Sequence, residues 1–309
     1  MLSLRHLAFL AVLLLLAPLG PGARAEVSLI DANGDRVVLA EPARRIVSLA
    51  PHITELLFAA GAGKHVVGAV QYSDFPEAAQ RLARVGSYNA LDLEAIAALK
   101  PDLAIAWRCG NRDGHIDKLR RLGIPIFVSE ARDLDAVADS LEQIGALAGT
   151  EAAATRAASD FRARRNRLRE RFAGLAPVAT FYQVWNEPLM TINDAHLIGD
   201  VLRLCGGRNV FGSLAQLAPT INAESVLAAD PEAIIASGMG EARPEWLDDW
   251  RRWKGMQAVQ RNNLFFVPPD LLQRHTPRIL DGAEQVCGHL ASARARRPAG
   301  WIDRGRPGE

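Results

Sequence analysis

The sequence predicts an α/β protein of two Rossmann-like lobes, each built on a mostly parallel sheet, joined by a long rigid α-helix. Three observations predict it. First, a helix-proline-strand pattern occurs twice: Asp92-Leu93-Glu94 leads to Pro101 and the apolar run Leu103 to Trp107, and Asn222-Ala223-Glu224 leads in the same register to Pro231 and Ala233 to Ala236. In both copies an Asx cap and an acidic first turn open a short helix, and a proline closes it. Second, apolar strand-like runs alternate with helix-like segments on either side, the mark of βαβ units. Third, the stretch from Leu134 to Phe172 contains no proline and is dominated by alanine and arginine from Ala152 to Arg171, so it reads as one or two long helices.

Taken from the amino terminus, Arg5 and His6 precede the apolar stretch Leu7 to Leu16, and Ala23-Arg24-Ala25 is a small-x-small cleavage site. Residues 1–25 therefore read as a signal peptide cleaved after Ala25, and the apolar stretch is too short for a membrane anchor. Val27 to Leu39 alternates around Asn33-Gly34 as an exposed hairpin. The expected first lobe, 26–149, continues with strand Ile46 to Leu49, loop Ala50 to His52, a helix from Thr54 to Ala60, strand Val66 to Val70, the Glu94 helix, strand Leu103 to Ala106, helix Asp117 to Leu122 and strand Ile126 to Val128. The connecting helix is expected over 150–174. The second lobe, 175–292, carries strands near Thr180 to Val184, Ile234 to Ala236 and Phe265 to Val267, and residues 293–309 read as a flexible, arginine-rich tail.

Lys and Arg number 36 against 35 Asp and Glu, so the chain is nearly neutral and offers no clustered basic surface for nucleic acid; its 49% hydrophobic content suffices for a large core. Of three cysteines, Cys205 and Cys287 fall on helix-like runs of the second half and are the expected disulfide, which leaves Cys109 as a free thiol. No CxxC or HExxH spacing offers a metal site. Gly206-Gly207 follows a helix and reads as a C-cap, not a phosphate loop.

Ligands of open α/β sheets bind beyond the carboxyl ends of the strands. The loops there are Pro51-His52, Gln71 to Phe75, Trp107 to Asn111, Trp185-Asn186-Glu187, Gly238-Met239-Gly240 and Asp270 to His275. They are rich in aromatics and amides and poor in nucleophile-base pairs, so they suit a large planar or amphipathic molecule held by stacking and burial, with no catalytic residue. Trp107 and Trp185 are the favoured contacts. His52 and His275 lack a carboxylate, serine or cysteine partner at a recognisable spacing and read as loop or surface residues.

The run Arg45 to Gly61 resembles the opening of the helical-backbone periplasmic substrate-binding proteins that serve metal-chelate ABC importers, the iron-siderophore and cobalamin group. Within it, Tyr72 to Pro76, Leu93-Glu94 with Lys100 to Leu103, Ala106-Trp107-Arg108, Leu204 to Phe211 and Thr276 to Ile279 are similar to the cobalamin-carrying branch, and the likeness runs to about Ala291. The resemblance implies a periplasmic, non-enzymatic, monomeric protein that takes cobalamin as transported ligand, needs no cofactor or bound metal of its own, closes little, and delivers to a permease dimer in the inner membrane. It implies that Glu94 and Glu224 dock to transporter arginines, that Cys205 and Cys287 are bridged, and that Tyr72, Tyr88, Trp107, Arg108, Trp185 and Arg274 form the ligand site. Departures exist: Ala218 and Leu271 stand where that branch carries tryptophans, and Tyr88 stands where a tryptophan is usual, with Trp185 and Met190 as compensating neighbours. Haem or a ferric siderophore is the alternative ligand, with Tyr72, Tyr88 or His52 as axial donor. An exported metal-dependent hydrolase would need at least three converging His, Asp or Glu ligands.

Overall fold

A computed structural model describes residues 26–301 apart from Met239 and Glu241. The signal peptide and cleavage site lie outside the described residues, as do Met239 of one strand-end loop and the last eight residues. The hairpin forms as expected, β1 (Val27–Ile30) antiparallel to β2 (Arg36–Leu39), with Asp31 turning the chain by accepting from the backbone of Asn33 and Asp35.

The first lobe holds β3 (Ile46–Ser48), α1 (Pro51–Ala59), β4 (Val66–Ala69), β5 (Ala83–Arg84), a small hairpin of β6 (Gly86–Ser87) and β7 (Ala90–Leu91), α2 (Leu93–Ala98), β8 (Leu103–Trp107), α3 (Asp113–Arg121) and β9 (Ile126–Ser129). Its parallel five-stranded sheet runs β5-β4-β3-β8-β9. Ile46, Val47, Leu103 and Ile105 are fully buried, which is why both strands read as unbroken apolar runs. The segment expected as a loop at Ala50 to His52 is instead the first turn of α1: Pro51 occupies an N-terminal helix position, where its missing N–H costs nothing.

The Ala/Arg-rich stretch is two helices, α4 (Leu134–Ala148) and α5 (Glu151–Phe172), broken at Gly149, whose φ of 63° caps α4 in the left-handed conformation. They pack face to face, and a Cβ on Gly145 would collide with Ala154. At 22 residues α5 is about 33 Å long. Arg162 pairs with Asp139 and Glu142 on α4, while Arg164 pairs with Asp281 and Glu284 of the second lobe. The connecting helix is thus fastened to both halves.

The second lobe holds β10 (Val178–Gln183), α6 (Leu197–Leu204), β11 (Gly207–Asn209), α7 (Ala223–Ala229), β12 (Ala233–Ala236), a 3-10 segment Glu245–Arg252, α8 (Gln257–Gln260), β13 (Leu264–Phe266), α9 (Pro269–Leu272) and α10 (Ile279–Ala295). Its parallel four-stranded sheet runs β11-β10-β12-β13. Gly206, with φ of 70°, ends α6 as the glycine pair suggests, but Gly207 already belongs to an edge strand the sequence did not announce. Cys205 and Cys287 form the disulfide between the end of α6 and α10, both fully buried, and Cys109 is free.

Each sheet buries one face in its own outer core: Val47, Ile96 and Val128 in the first lobe, Phe181, Ile234 and Trp250 in the second. The inner faces share one core, in which Ile53, Phe127 and Leu141 continue through Phe161 and Leu168 of α5 to Tyr182, Ile198 and Leu280. The repeat extends to the backbone, since Lys100 and Asp230, each just before its proline, have φ of 46° and 40°. The tail differs from expectation. Its helix continues to Ala295, Arg294 donates to the carbonyls of Ala176, Cys205 and Gly206, and Arg297 pairs with the buried Glu232 and stacks on Trp301. Charged partners on the second lobe hold down a segment that composition alone reads as frayed.

Candidate functional site: the inter-lobe cleft

The strand-end loops of both lobes meet. Trp107 ends β8, and Asn111 fixes its surroundings: the Trp107 N–H donates to Asn111 Oδ1 (2.7 Å), while Asn111 Nδ2 donates to the carbonyls of Leu49 (2.9 Å) and Tyr88 (2.7 Å). One buried amide therefore ties β3, the β6–β7 turn and β8 together. The Trp107 ring lies over Gly110, where any Cβ would collide with it. Tyr88 tilts against Trp107 with ring centroids 5.7 Å apart.

Beneath them lie three histidines. His52 meets the edge of Trp107 at 5.1 Å and His275 at 5.6 Å, and His275 also meets Trp107 at 6.5 Å and His196 at 5.9 Å. His52 comes from α1 and His275 from the turn between α9 and α10, so the cluster spans the lobes. The reading of both as loop or surface residues is corrected: His52 is 6% exposed and His275 7%. Burial, reinforced by the charge of Arg274, lowers the His52 pKa to about 3; burial lowers His196 to about 4 and His275 well below the usual 6.5. All three imidazoles are neutral near pH 7. Among the described residues no group of three or more His, Cys, Asp or Glu side chains is placed to hold a metal ion.

A cavity of about 320 Å³ opens between the lobes, walled by Trp107, Cys109 and Ala131 on one side and Val184, His196, Leu217, Ala218 and His275 on the other. Cys109 is held as a thiol, pushed up to about 11 by burial and by neighbouring Glu130. A larger hollow of about 720 Å³ lies at the opposite, amino ends of the second-lobe strands, beside Asp230 and Trp301, away from every strand-end loop.

A charged clasp closes the back of the cleft. Glu55 of α1, 3% exposed, accepts from Arg274 (2.9 Å) and from two nitrogens of Arg278 (2.9 and 2.7 Å). Arg274 also pairs with Asp74 (2.6 Å) and Asp270 (3.1 Å), and the Arg278 guanidinium sits 4.0 Å over the Phe75 ring. Burial opposes ionisation of Asp74, yet the hydrogen bond and charge of Arg274 outweigh it and hold this carboxyl below its usual value. Burial raises Asp270.

Of the residues the sequence nominates, the structure brings Tyr88 and Trp107 together and seats Trp107 in the cavity wall. Arg108 is turned away, donating to the Ala32 carbonyl of the hairpin at 2.8 Å, because the side chain after a strand-end residue points to the opposite face. Arg274 is the centre of the clasp, paired with Glu55, Asp74 and Asp270. Trp185 is half-buried, its indole donating to Glu187 O while its backbone bridges Met190, and it is not in the cavity wall. Tyr72 is 72% exposed with φ of 62°, beyond the aromatic cluster. The sequence did not single out His196, Glu55, Asp74 or Arg278; the clasp joins residues some 200 positions apart, and no local spacing announces it. Glu94 and Glu224 are exposed first-turn residues of α2 and α7, whose caps Asp92 and Asn222 accept from Ala95 and Ser225 at 2.9 Å.

The histidines predict the acid response. Their folded pKa values lie below the unfolded value near 6.5, so their contribution is fully present above pH 6.5 and is lost as pH falls towards about 3–4. From about pH 7 to about pH 5 each should remove up to about 2 kcal/mol of stability. Denaturant titration across that range checks this, and a flat profile would mean that the imidazoles are charged in the folded state.

Two parallel-sheet lobes on a helical spine, facing one another across an aromatic cavity, define the bilobed ligand-capturing proteins. Residues 46–271 match the periplasmic binding protein family, and the chain belongs to it. It is 39% identical over 253 residues to a vitamin B12-binding protein of Vibrio cholerae, covering 82% of this chain and 91% of that one. A vitamin B12-binding protein of Yersinia pestis is 37% identical over 253 residues, covering 82% and 88%. The crystal structure of the periplasmic vitamin B12-binding protein of Vibrio cholerae superposes with a TM-score of 0.75 at 38% identity, covering 82% of this chain and 98% of that one. A periplasmic haem-binding protein of Pseudomonas aeruginosa shares the fold, with a TM-score of 0.70 at 22% identity, covering 83% and 95%.

Proposed function

We propose that this chain, exported to the periplasm by a signal peptide cleaved after Ala25, captures cobalamin or a related corrinoid between its lobes and hands it to an inner-membrane ABC importer. The observation that carries this reading is the cavity shared by both lobes, walled by Trp107, His196 and His275. It offers aromatic faces, neutral imidazoles and apolar side chains, and its Cys109 thiol, beside Glu130, is held protonated, so the cavity suits binding without chemistry. The vitamin B12-binding relatives, similar over most of this chain, point to the same cargo. Glu94 and Glu224 are the docking carboxylates: both are exposed, both stand in the first turn of equivalent helices, and neither pairs with a described residue.

Calorimetric titration of the mature protein with cyanocobalamin, and in parallel with haemin, tests the cargo. One-to-one binding of the corrinoid with haemin weak supports this reading. Haemin binding alone would move the cargo to haem, for which the exposed phenols of Tyr72 and Tyr88 are candidate donors. Trp107→Ala should weaken corrinoid binding by about 1–3 kcal/mol, the worth of one aromatic face. An unchanged dissociation constant would return Trp107 to a packing role.

A further inference from the structure

The three cleft histidines are not equivalent. His196 caps α6: its Nδ1 accepts from the Ile198 N–H at 3.1 Å, so its proton sits on Nε2 and it has no lone pair to offer a ligand. His52 stands against the edge of Trp107 and is absent from the cavity wall. His275 lines the cavity, and neither of its ring nitrogens hydrogen-bonds a described residue; its Nδ1 is buried without a partner. Nδ1 has no open surface, so only Nε2, which has no hydrogen-bond partner among the described residues, can offer its lone pair to a ligand in the cavity.

The backbone that carries this ring is fixed. Arg274, the preceding residue, is clamped by Glu55, Asp74 and Asp270, the Thr276 N–H donates to the Arg274 carbonyl at 2.9 Å, and Thr276 is fully buried. A ring so held is pre-organised, so little freedom is lost when it binds. Imidazole is a good donor to first-row transition metals, cobalt included.

We propose that His275 is an axial ligand of the metal in the bound chelate. This rests on the metal-chelate cargo proposed above. In the step itself the imidazole lone pair forms a metal–nitrogen bond as the weakly held axial water or base of the chelate leaves with its own pair. The metal keeps its oxidation state, and no proton moves, because burial keeps the ring neutral. The protein would then discriminate in favour of chelates with an exchangeable axial position.

The test uses the mature protein with cobinamide, the corrinoid without a nucleotide base, reduced to Co(II), so that any axial nitrogen must come from the protein. Retention of the corrinoid on gel filtration is measured first, then the electron paramagnetic resonance spectrum. The expected result is nitrogen splitting as a triplet that becomes a doublet when the protein carries histidine labelled with the heavier nitrogen isotope; His275→Gln should retain cobinamide but lose the splitting. The labelling arm needs no variant to fold. Bound cobinamide without nitrogen splitting, or splitting that persists in His275→Gln, overturns the ligation and leaves the cargo standing. Failure of the wild-type protein to retain any corrinoid overturns the cargo itself, and the ligation with it.

Discussion

Glu55→Ala is expected to lower the stability of the protein by about 3–5 kcal/mol, the cost of stranding buried charges whose partner has been removed. Glu55 is 3% exposed and is the only carboxylate among the described residues that contacts both Arg274 and Arg278. Its removal leaves Arg278 without a salt bridge among the described residues, over the Phe75 ring, and Arg274 with the two more exposed acids, Asp74 and Asp270. Urea titration of Glu55→Ala and Glu55→Gln checks this, the amide keeping the shape while losing the charge. A midpoint within about 0.5 kcal/mol of the parent would mean that water reaches the guanidiniums. Joint replacement of Glu55, Arg274 and Arg278 by apolar residues of matching volume should recover most of the loss, since no charge is then left buried.

Reversing both carboxylates proposed for docking, Glu94→Arg with Glu224→Arg, is expected to abolish uptake in cells while leaving corrinoid affinity within about twofold. Both side chains stand in the first turns of α2 and α7, outside the cavity wall. Their reversal therefore changes what a partner meets and not what the ligand meets. Like charges facing the arginines of the proposed importer would cost several kcal/mol at docking. Each single variant should be partly impaired. A tenfold fall in cobalamin affinity of the isolated double variant would show that the carboxylates serve the cleft and not the importer.

Much of the architecture was legible because it is written locally. Apolar runs such as Leu103 to Ala106 bounded by Pro101 and by polar turns, the Asx caps at Asp92 and Asn222, and the proline-free stretch before Phe172 each report a neighbour within a few residues. Where the sequence misled, longer range was decisive. Composition reads Arg297 as solvated, yet Glu232 receives it, and Arg108 belongs to the loop sequence of the cleft but to the hairpin face of the sheet. The candidate site was half legible: Trp107 follows from its strand end and Tyr88 from the resemblance alone, whereas burial of His52 and His275 depends on two lobes meeting, and spacing carries no trace of that.

The core that runs from Ile53 through Phe161 and Leu168 to Tyr182 is continuous across both lobes, and near its middle α5 is fastened by Arg162 to α4 and by Arg164 to α10. Opening or closing the cleft of a receptor built this way would have to shear one continuous core. Whatever accepts its cargo must sense occupancy by touching the cargo, or must supply the force that pries the two halves open, because the spine stores no spring to do it.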